Sequence, residues 1–272
     1  MSDNDNKNNN NNSEAMARGV ESVIAIGANK IASYVGIPEI VTTPAITTIN
    51  SFFHSNIKEV IDLCFGDFEK RALSPREQKR IIKFKDNVEI KLTEKIRSLI
   101  NGNLQDCNIT VDNNATKEEI TEATFLLVQK EYEERKIPYI ENFYTNIIFD
   151  NSIERNVANA LVRIIGEMSY QQILILACIG NSEKEKQAAY NVEKFNDKQY
   201  SDSDWSIEFD VRNLFQKFII NPKDGIVVDI NCIDKSVLAL KGLGEKLYKL
   251  MELNTLTEAN IDYKKILDFF NR

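Results

Sequence analysis

Histidine is nearly missing from this chain. His54 is the only one among 272 residues, so a Ser-His-Asp or Cys-His catalytic arrangement would have to be built on that single ring. It stands beside Phe52 and Phe53 near a helix start, where a surface or capping role accounts for it. The four cysteines, Cys64, Cys107, Cys178 and Cys232, lie too far apart for a metal knuckle or a redox pair. Zinc sites built on several closely spaced His and Cys are excluded by the counts, and four reduced thiols in a cytoplasmic protein are expected. Glycine is sparse too. The only Gly-x-Gly, Gly242-Leu243-Gly244, has no Gly-Lys-Ser/Thr after it and reads as a turn into a helix, not as a phosphate loop. Residues 1–14, MSDNDNKNNNNNSE, lack the basic start and apolar run of a secretory leader. A charge-free apolar run of about 20 residues is also missing. The nearest approach, residues 17–50, is interrupted by Lys30, Pro38, Glu39 and Pro44, so a plain transmembrane helix is not expected.

What is present is an ordinary globular composition, 43% hydrophobic and 28% charged, ample for a core. The net charge of −7 argues against attraction of the whole molecule to nucleic acid or anionic lipid. The Asn-rich residues 1–14 bury too little surface to fold and are expected to be a disordered tail. A helical region is expected from about 15 to 150 and a second region from 151 to 272.

Periodicity sets most of the elements. Met16, Val20, Val23, Ile24, Ile31, Tyr34 and Val35 fall on one helical face, with Gly19, Gly27, Ala28 and Ala32 on a second, small-residue face. The expected place for this stripe is the interior, in which case Val23→Asp or Ile24→Asp unfolds the N-terminal half. Ser74, Pro75 and Glu77 form a helix start with a capping box, and Ile81, Phe84, Val88, Leu92, Ile96 and Leu99 form its stripe, closed at Gly102. This helix is locally basic: Glu69–Arg97 holds ten Lys or Arg against five acids. Arg76, Lys79, Arg80 and Lys83 are its candidates for phosphate or partner contact, although interleaved acids favour pairing along a solvated face.

Further helices are expected from Thr116 to about Arg135, from Pro138 through Phe149, from a Ser152 cap, and from a Ser169 cap with Gln172 at its third position. The last, YQQILILACIG, is apolar on most sides and should sit centrally. A polar segment at 181–204 is followed by a helix from about Trp205 to Ile219. The turn NPKDG and two short strands, IVVDI and SVLAL, come next, and two closing helices end the chain. The fold is therefore read as mostly α, a helical bundle with one short β-hairpin in its C-terminal region.

From Ser152 onward, a helical pair, a third helix, a hairpin and a helix follow one another. That order, with Leu240-Lys241-Gly242-Leu243-Gly244 at the step out of the hairpin, resembles a winged helix, with Lys241 where Thr is usual. EYEERKIPYIENFYTNIIFDNSI followed by MSYQQILILACI resembles a set of uncharacterised bacterial helical proteins with a winged-helix-like end. It is more distantly similar to the abortive-infection alpha family of phage-defence proteins. The resemblance implies a class of protein and no catalytic residues.

Winged helices that read DNA present clustered Lys and Arg, whereas residues 151–272 hold 16 bases against 18 acids. The expectation is thus a non-enzymatic cytoplasmic interaction or regulatory protein with a protein partner, self included, and no cofactor or metal. Two other readings compete with it. One is a membrane-active effector inserting helices 16–57, which carry only Arg18 and Lys30 where surface-active helices are rich in cations. The other is a DNA-binding regulator contacting phosphates through Lys79, Arg80 and Lys83.

Overall fold

The computed structural model describes residues 57–101, 114–185, 201–222 and 238–271. The tail 1–14, the Val/Ile stripe from Val20 to Ile31, His54, Gly102, Cys107, the strand expected at 226–230 and Cys232 lie outside the described residues.

The protein is mostly α with a single two-stranded antiparallel sheet among the described residues. Helix α1 (Glu59–Glu69) leads into α2 (Pro75–Asn101), whose start is the expected capping box. Ser74 Oγ accepts the Glu77 N–H at 3.3 Å while Glu77 Oε2 accepts the Ser74 N–H at 2.8 Å, so two backbone donors at the helix start are satisfied reciprocally. Ile81, Phe84, Val88, Leu92 and Ile96 of the stripe are buried; the side chain of Leu99 lies outside the described residues.

Helix α3 (Asn114–Lys130) stops five residues short of the expected Arg135. Glu131 is the reason. Its carboxylate accepts the Glu133 N–H at 2.9 Å and meets Lys136 Nζ at 2.5 Å, giving the chain a local partner outside the helix ladder. A short 3₁₀ turn, Glu134–Lys136, passes into α4 (Ile137–Ile147). Pro138 sits in its first turn, where no backbone donor is needed.

Helix α5 (Arg155–Glu167) departs from the sequence reading at its start. Ser152 does not cap it. Both the Ser152 N–H and its hydroxyl donate to Asp150 Oδ1, at 2.9 and 2.5 Å, forming an Asx turn, and Glu154 takes the N-cap position without a side-chain cap bond. The cap on α6 (Tyr170–Glu185) is as read: Ser169 Oγ accepts the Gln172 N–H at 3.1 Å, and Gln172 Oε1 accepts the Ser169 N–H at 3.2 Å. Every residue from Gln172 to Gly180 is buried.

Helix α7 (Asp202–Gln216) opens with a further capping box, Ser201 with Asp204. Strands β1 (Ile220–Pro222) and β2 (Leu238–Leu240) pair with Ile220 opposite Leu240. Both glycines of the Gly-x-Gly then have a physical cause. Gly242 holds φ +53° ahead of α8 (Leu243–Leu250), and a Cβ on Gly244 would stand 2.0 Å from the Ile219 carbonyl oxygen. A 3₁₀ turn (Leu253–Thr255) and α9 (Ile261–Phe270), capped by Asn260, complete the described chain.

Helix α6 is the hub of the C-terminal half, packed on α7, β2, α8, the Leu253–Thr255 turn and α9. Helix α3 plays that part for α1, α2, α4 and α5, and α4 joins the halves by packing on α2, α3 and α8. The buried apolar residues form one continuous cluster running from Ile57 to Phe270.

Candidate functional site

The basic helix directs most of its cations into the protein. Lys91 Nζ meets Glu141 Oε2 at 3.2 Å and donates to Asn142 Oδ1 at 2.5 Å. Lys95 donates to Asn146 Oδ1. The two asparagine amides pass this polarisation on: Asn142 donates to the Met251 carbonyl at 3.2 Å and Asn146 to the Leu250 carbonyl at 2.8 Å. Those carbonyls lie at the C-terminal end of α8, where the helix dipole is negative and its last acceptors lack helical partners. Lys85 is held by Asp62 and Glu89, at 3.2 and 2.7 Å. Of the four contact candidates, Arg76 bridges to Glu134 at 3.1 Å, and Arg80 donates to the Gln129 carbonyl at 2.6 Å. Lys79 and Lys83 remain exposed on the outer face, one turn apart. The structure therefore does not gather the four into one cluster. The sequence contained the charges but could not say which ones point inward.

The two segments that carry the family resemblance meet at the N-terminus of α6. From EYEERKIP come Glu131 and Lys136, an ion pair with side chains 5% and 3% exposed. Glu133 comes from the same segment and accepts the Tyr170 N–H at 2.6 Å, placing a carboxylate at the positive end of the helix dipole. From MSYQQ come Ser169 and Gln172, which both donate to Asp210 on α7, at 3.2 and 2.8 Å. Burial pushes the Asp210 carboxyl above its ordinary range; donors from Gln172, Ser169 and Gln171 oppose that, and the Glu133 charge adds to it. Gln171 donates to Ser206, and Arg135 bridges to Asp262 at 2.6 Å. The Tyr139 and Tyr170 rings lie 6.1 Å apart, and burial beside Tyr170 raises the Tyr139 phenol to about 12. Every strong acceptor described here is already met by a donor, so the junction ties α3, α4, α6, α7 and α9 together.

On the outward side of the same junction, α7 carries aromatic side chains into solvent. Trp205 is 57% exposed and Phe209, one turn further, 66%. Phe218, just past the helix, is 76% exposed and sits at φ +57°, a conformation that costs a bulky residue about 1–3 kcal/mol. The inward face of α7 is ordinary core: Ile207, Val211 and Leu214. The cations of this region are occupied, Arg212 by Glu208 at 3.0 Å and Lys217 by Glu167 at 2.9 Å. The sequence reading placed a helix here and weighed its charges. It missed the aromatic ridge, although Trp205 and Phe209 at i and i+4 were the available signal.

Both described cysteines are free thiols. Burial raises the Cys64 thiol to about 11 and the Cys178 thiol to about 12. Among the described residues no three His, Cys, Asp or Glu stand together in a geometry that could hold a metal ion. No single described helix is long and apolar enough to cross a membrane. The pair α5 and α6 passes that test only jointly, across a bend of 118°, and most of α6 is core. Residues Val20, Val23, Ile24 and Ile31 lie outside the described residues. No family model, curated protein or solved structure matches this chain.

Proposed function

We propose that the protein is a non-enzymatic, cytoplasmic interaction protein whose contact surface is the outward face of α7. The observation that carries this reading is the exposed pair Trp205 and Phe209 on a helix whose other face is fully packed. Large aromatics contribute most to protein contacts and are disfavoured in water without one. In the winged-helix order suggested by the sequence, α7 takes the place of the helix that enters the DNA groove. Its exposed face offers rings instead of cations, and Arg212 and Lys217 are already paired, which supports protein contact over phosphate contact. The phage-defence setting rests on the resemblance of EYEERKIP and MSYQQILIL alone.

A photo-cross-linking amino acid at position 209 tests the reading in cells making the protein at native level. A discrete adduct is expected there, and none from the same amino acid at exposed position 258. No adduct at 209, or equal smears at both positions, removes α7 as the contact surface. For the defence setting, Trp205→Ala with Phe209→Ala should abolish protection against a phage panel at unchanged protein level. Undiminished protection would separate the ridge from that role.

A further inference from the structure

Helix α2 carries apolar side chains outside its buried stripe. Ile82 is 42% exposed and Ile90 58%. Ile82 opens onto a cleft of about 70 Å³ between α1 and the start of α2, lined also by Phe65, Leu73 and Gln78, so the apolar surface continues off the helix. Ile82, Asp86, Ile90 and Glu94 stand four apart and form one ridge of the helix surface, with Lys79 and Lys83 on the next. The face is therefore basic at its start and acidic further on, and these four charged side chains are exposed. Arg76, Lys85, Glu89 and Lys91 of α2 are ion-paired; Lys79, Lys83, Asp86 and Glu94 are not, among the described residues.

The chain enters beside this face. Lys58 Nζ meets Glu89 Oε1 at 3.5 Å, so everything before Ile57 is tethered next to Ile90. Residues 16–35, outside the described residues, hold the Val/Ile stripe and three charges, Arg18, Glu21 and Lys30. On a helix Val23 and Ile31 are separated by the same eight positions as Ile82 and Ile90, about 12 Å, and only Gly27 stands between them on that ridge. Arg18 falls on the side opposite the stripe. A helix running in the direction of α2 sets Val23 beside Ile82 and Ile31 beside Ile90. It also brings Glu21 to the Lys79 and Lys83 end, and Lys30 to the Asp86 and Glu94 end. The reverse direction brings like charges together.

We propose that the occupant of the Ile82–Ile90 face is this chain's own segment 16–35, docked as a helix in the direction of α2. This goes beyond the α7 contact surface and does not depend on it. A stripe joined to its site by residues 36–56 competes at an effective concentration on the order of millimolar, which favours it over a second copy or a separate partner. Docking covers the stripe and the face together, with Val20 directed at the cleft beside Phe65.

Cross-linking of the full chain tests the proposal. Val23→Cys is combined with Ile82→Cys, and Ile31→Cys with Ile90→Cys. Packed helix axes lie about 8–10 Å apart, a gap that a short bis-maleimide spans, and mass spectrometry assigns each link. Both pairs should link within one chain. The crossed pairs, Val23→Cys with Ile90→Cys and Ile31→Cys with Ile82→Cys, should link at least about tenfold more slowly, since docking holds them about 12 Å further apart along the helix. Glu21→Lys and Lys79→Glu should each slow the 23–82 link by roughly twofold to fivefold, and the two together should restore it. Equal rates in both registers, no link within a chain, or a double swap no better than either single overturns the proposal. Links between chains assign the face to a second copy, and a protein that stays unlinked and floats with phosphatidylglycerol vesicles assigns the stripe to lipid; either result overturns it as well.

Discussion

Gly244 shows how one atom can be forbidden. A methyl group there would meet the Ile219 carbonyl oxygen at 2.0 Å, backbone that cannot rotate away. Gly244→Ala should therefore destabilise the protein by about 1–3 kcal/mol or more, the usual range for overpacking, read as a lower urea midpoint with unchanged slope. Asp210 offers a second test at this scale. Because burial raises its folded-state pKa, ionising it costs stability: the cost is absent below the ordinary aspartate range and fully present once pH exceeds the folded value. Asp210→Asn removes that ionisation, so the stability of the variant relative to the parent should grow as pH rises through the acid range. A difference that stays flat with pH would assign the raised value to something other than a buried charge. The Gly-x-Gly could be seen in the sequence as a turn. The close approach that requires Gly244 could not, because Ile219 reaches it only after β1 and β2 pair.

At the scale of elements, the loop from Glu131 to Lys136 governs how α3 hands over to α4. Its ion pair is nearly sealed from water, with side chains 5% and 3% exposed. A buried pair contributes little over an apolar substitute, but breaking one side leaves an uncompensated charge. Lys136→Met should cost about 3–5 kcal/mol, and Lys136→Met with Glu131→Leu should recover most of it, measured by denaturant unfolding of both. The capping boxes at Ser74 and Ser169 were legible because a cap is a local matter of three residues. The cap at Ser152 was misread for the same reason: Asp150 competes for that serine two residues away, and nothing in the pattern ranks the two partners. The early end of α3 was hidden because Glu131 stops the helix by pairing with Lys136.

Across the whole molecule, Asn142 and Asn146 connect the basic helix to the end of α8 through more than a hundred residues of intervening chain. Asn146 is buried, and its amide satisfies the Leu250 carbonyl while its oxygen accepts from Lys95. Asn146→Leu removes both bonds and leaves the Leu250 carbonyl without this donor, so it should cost about 1–3 kcal/mol, with amide exchange quickening first in α8. Exchange that quickens equally everywhere would show that α8 opens only with the rest of the protein. Because the apolar cluster runs unbroken from Ile57 to Phe270, Trp205 fluorescence and far-ultraviolet circular dichroism should report one coincident thermal transition. Two separated midpoints would mean that the halves unfold independently.

The sequence by itself determined the helical class, the starts of α2 and α6, the interior place of α6 and that one short two-stranded sheet lies in the C-terminal region, although its first strand, Ile220–Pro222, falls where a turn was expected, and the strand expected at 226–230 lies outside the described residues. Each of the helical features depends on the order of neighbours along the chain: apolar spacing, a capping serine, an apolar run. Tertiary structure decided where the charges of α2 point, because a lysine faces inward only where asparagines and an acid on α4 wait for it. It also brought EYEERKIP and MSYQQ to one junction with Asp210, residues up to 79 positions apart. And it left Trp205 and Phe209 largely exposed, since which face of α7 is covered depends on what packs against it, and among the described elements α6 packs on the other side.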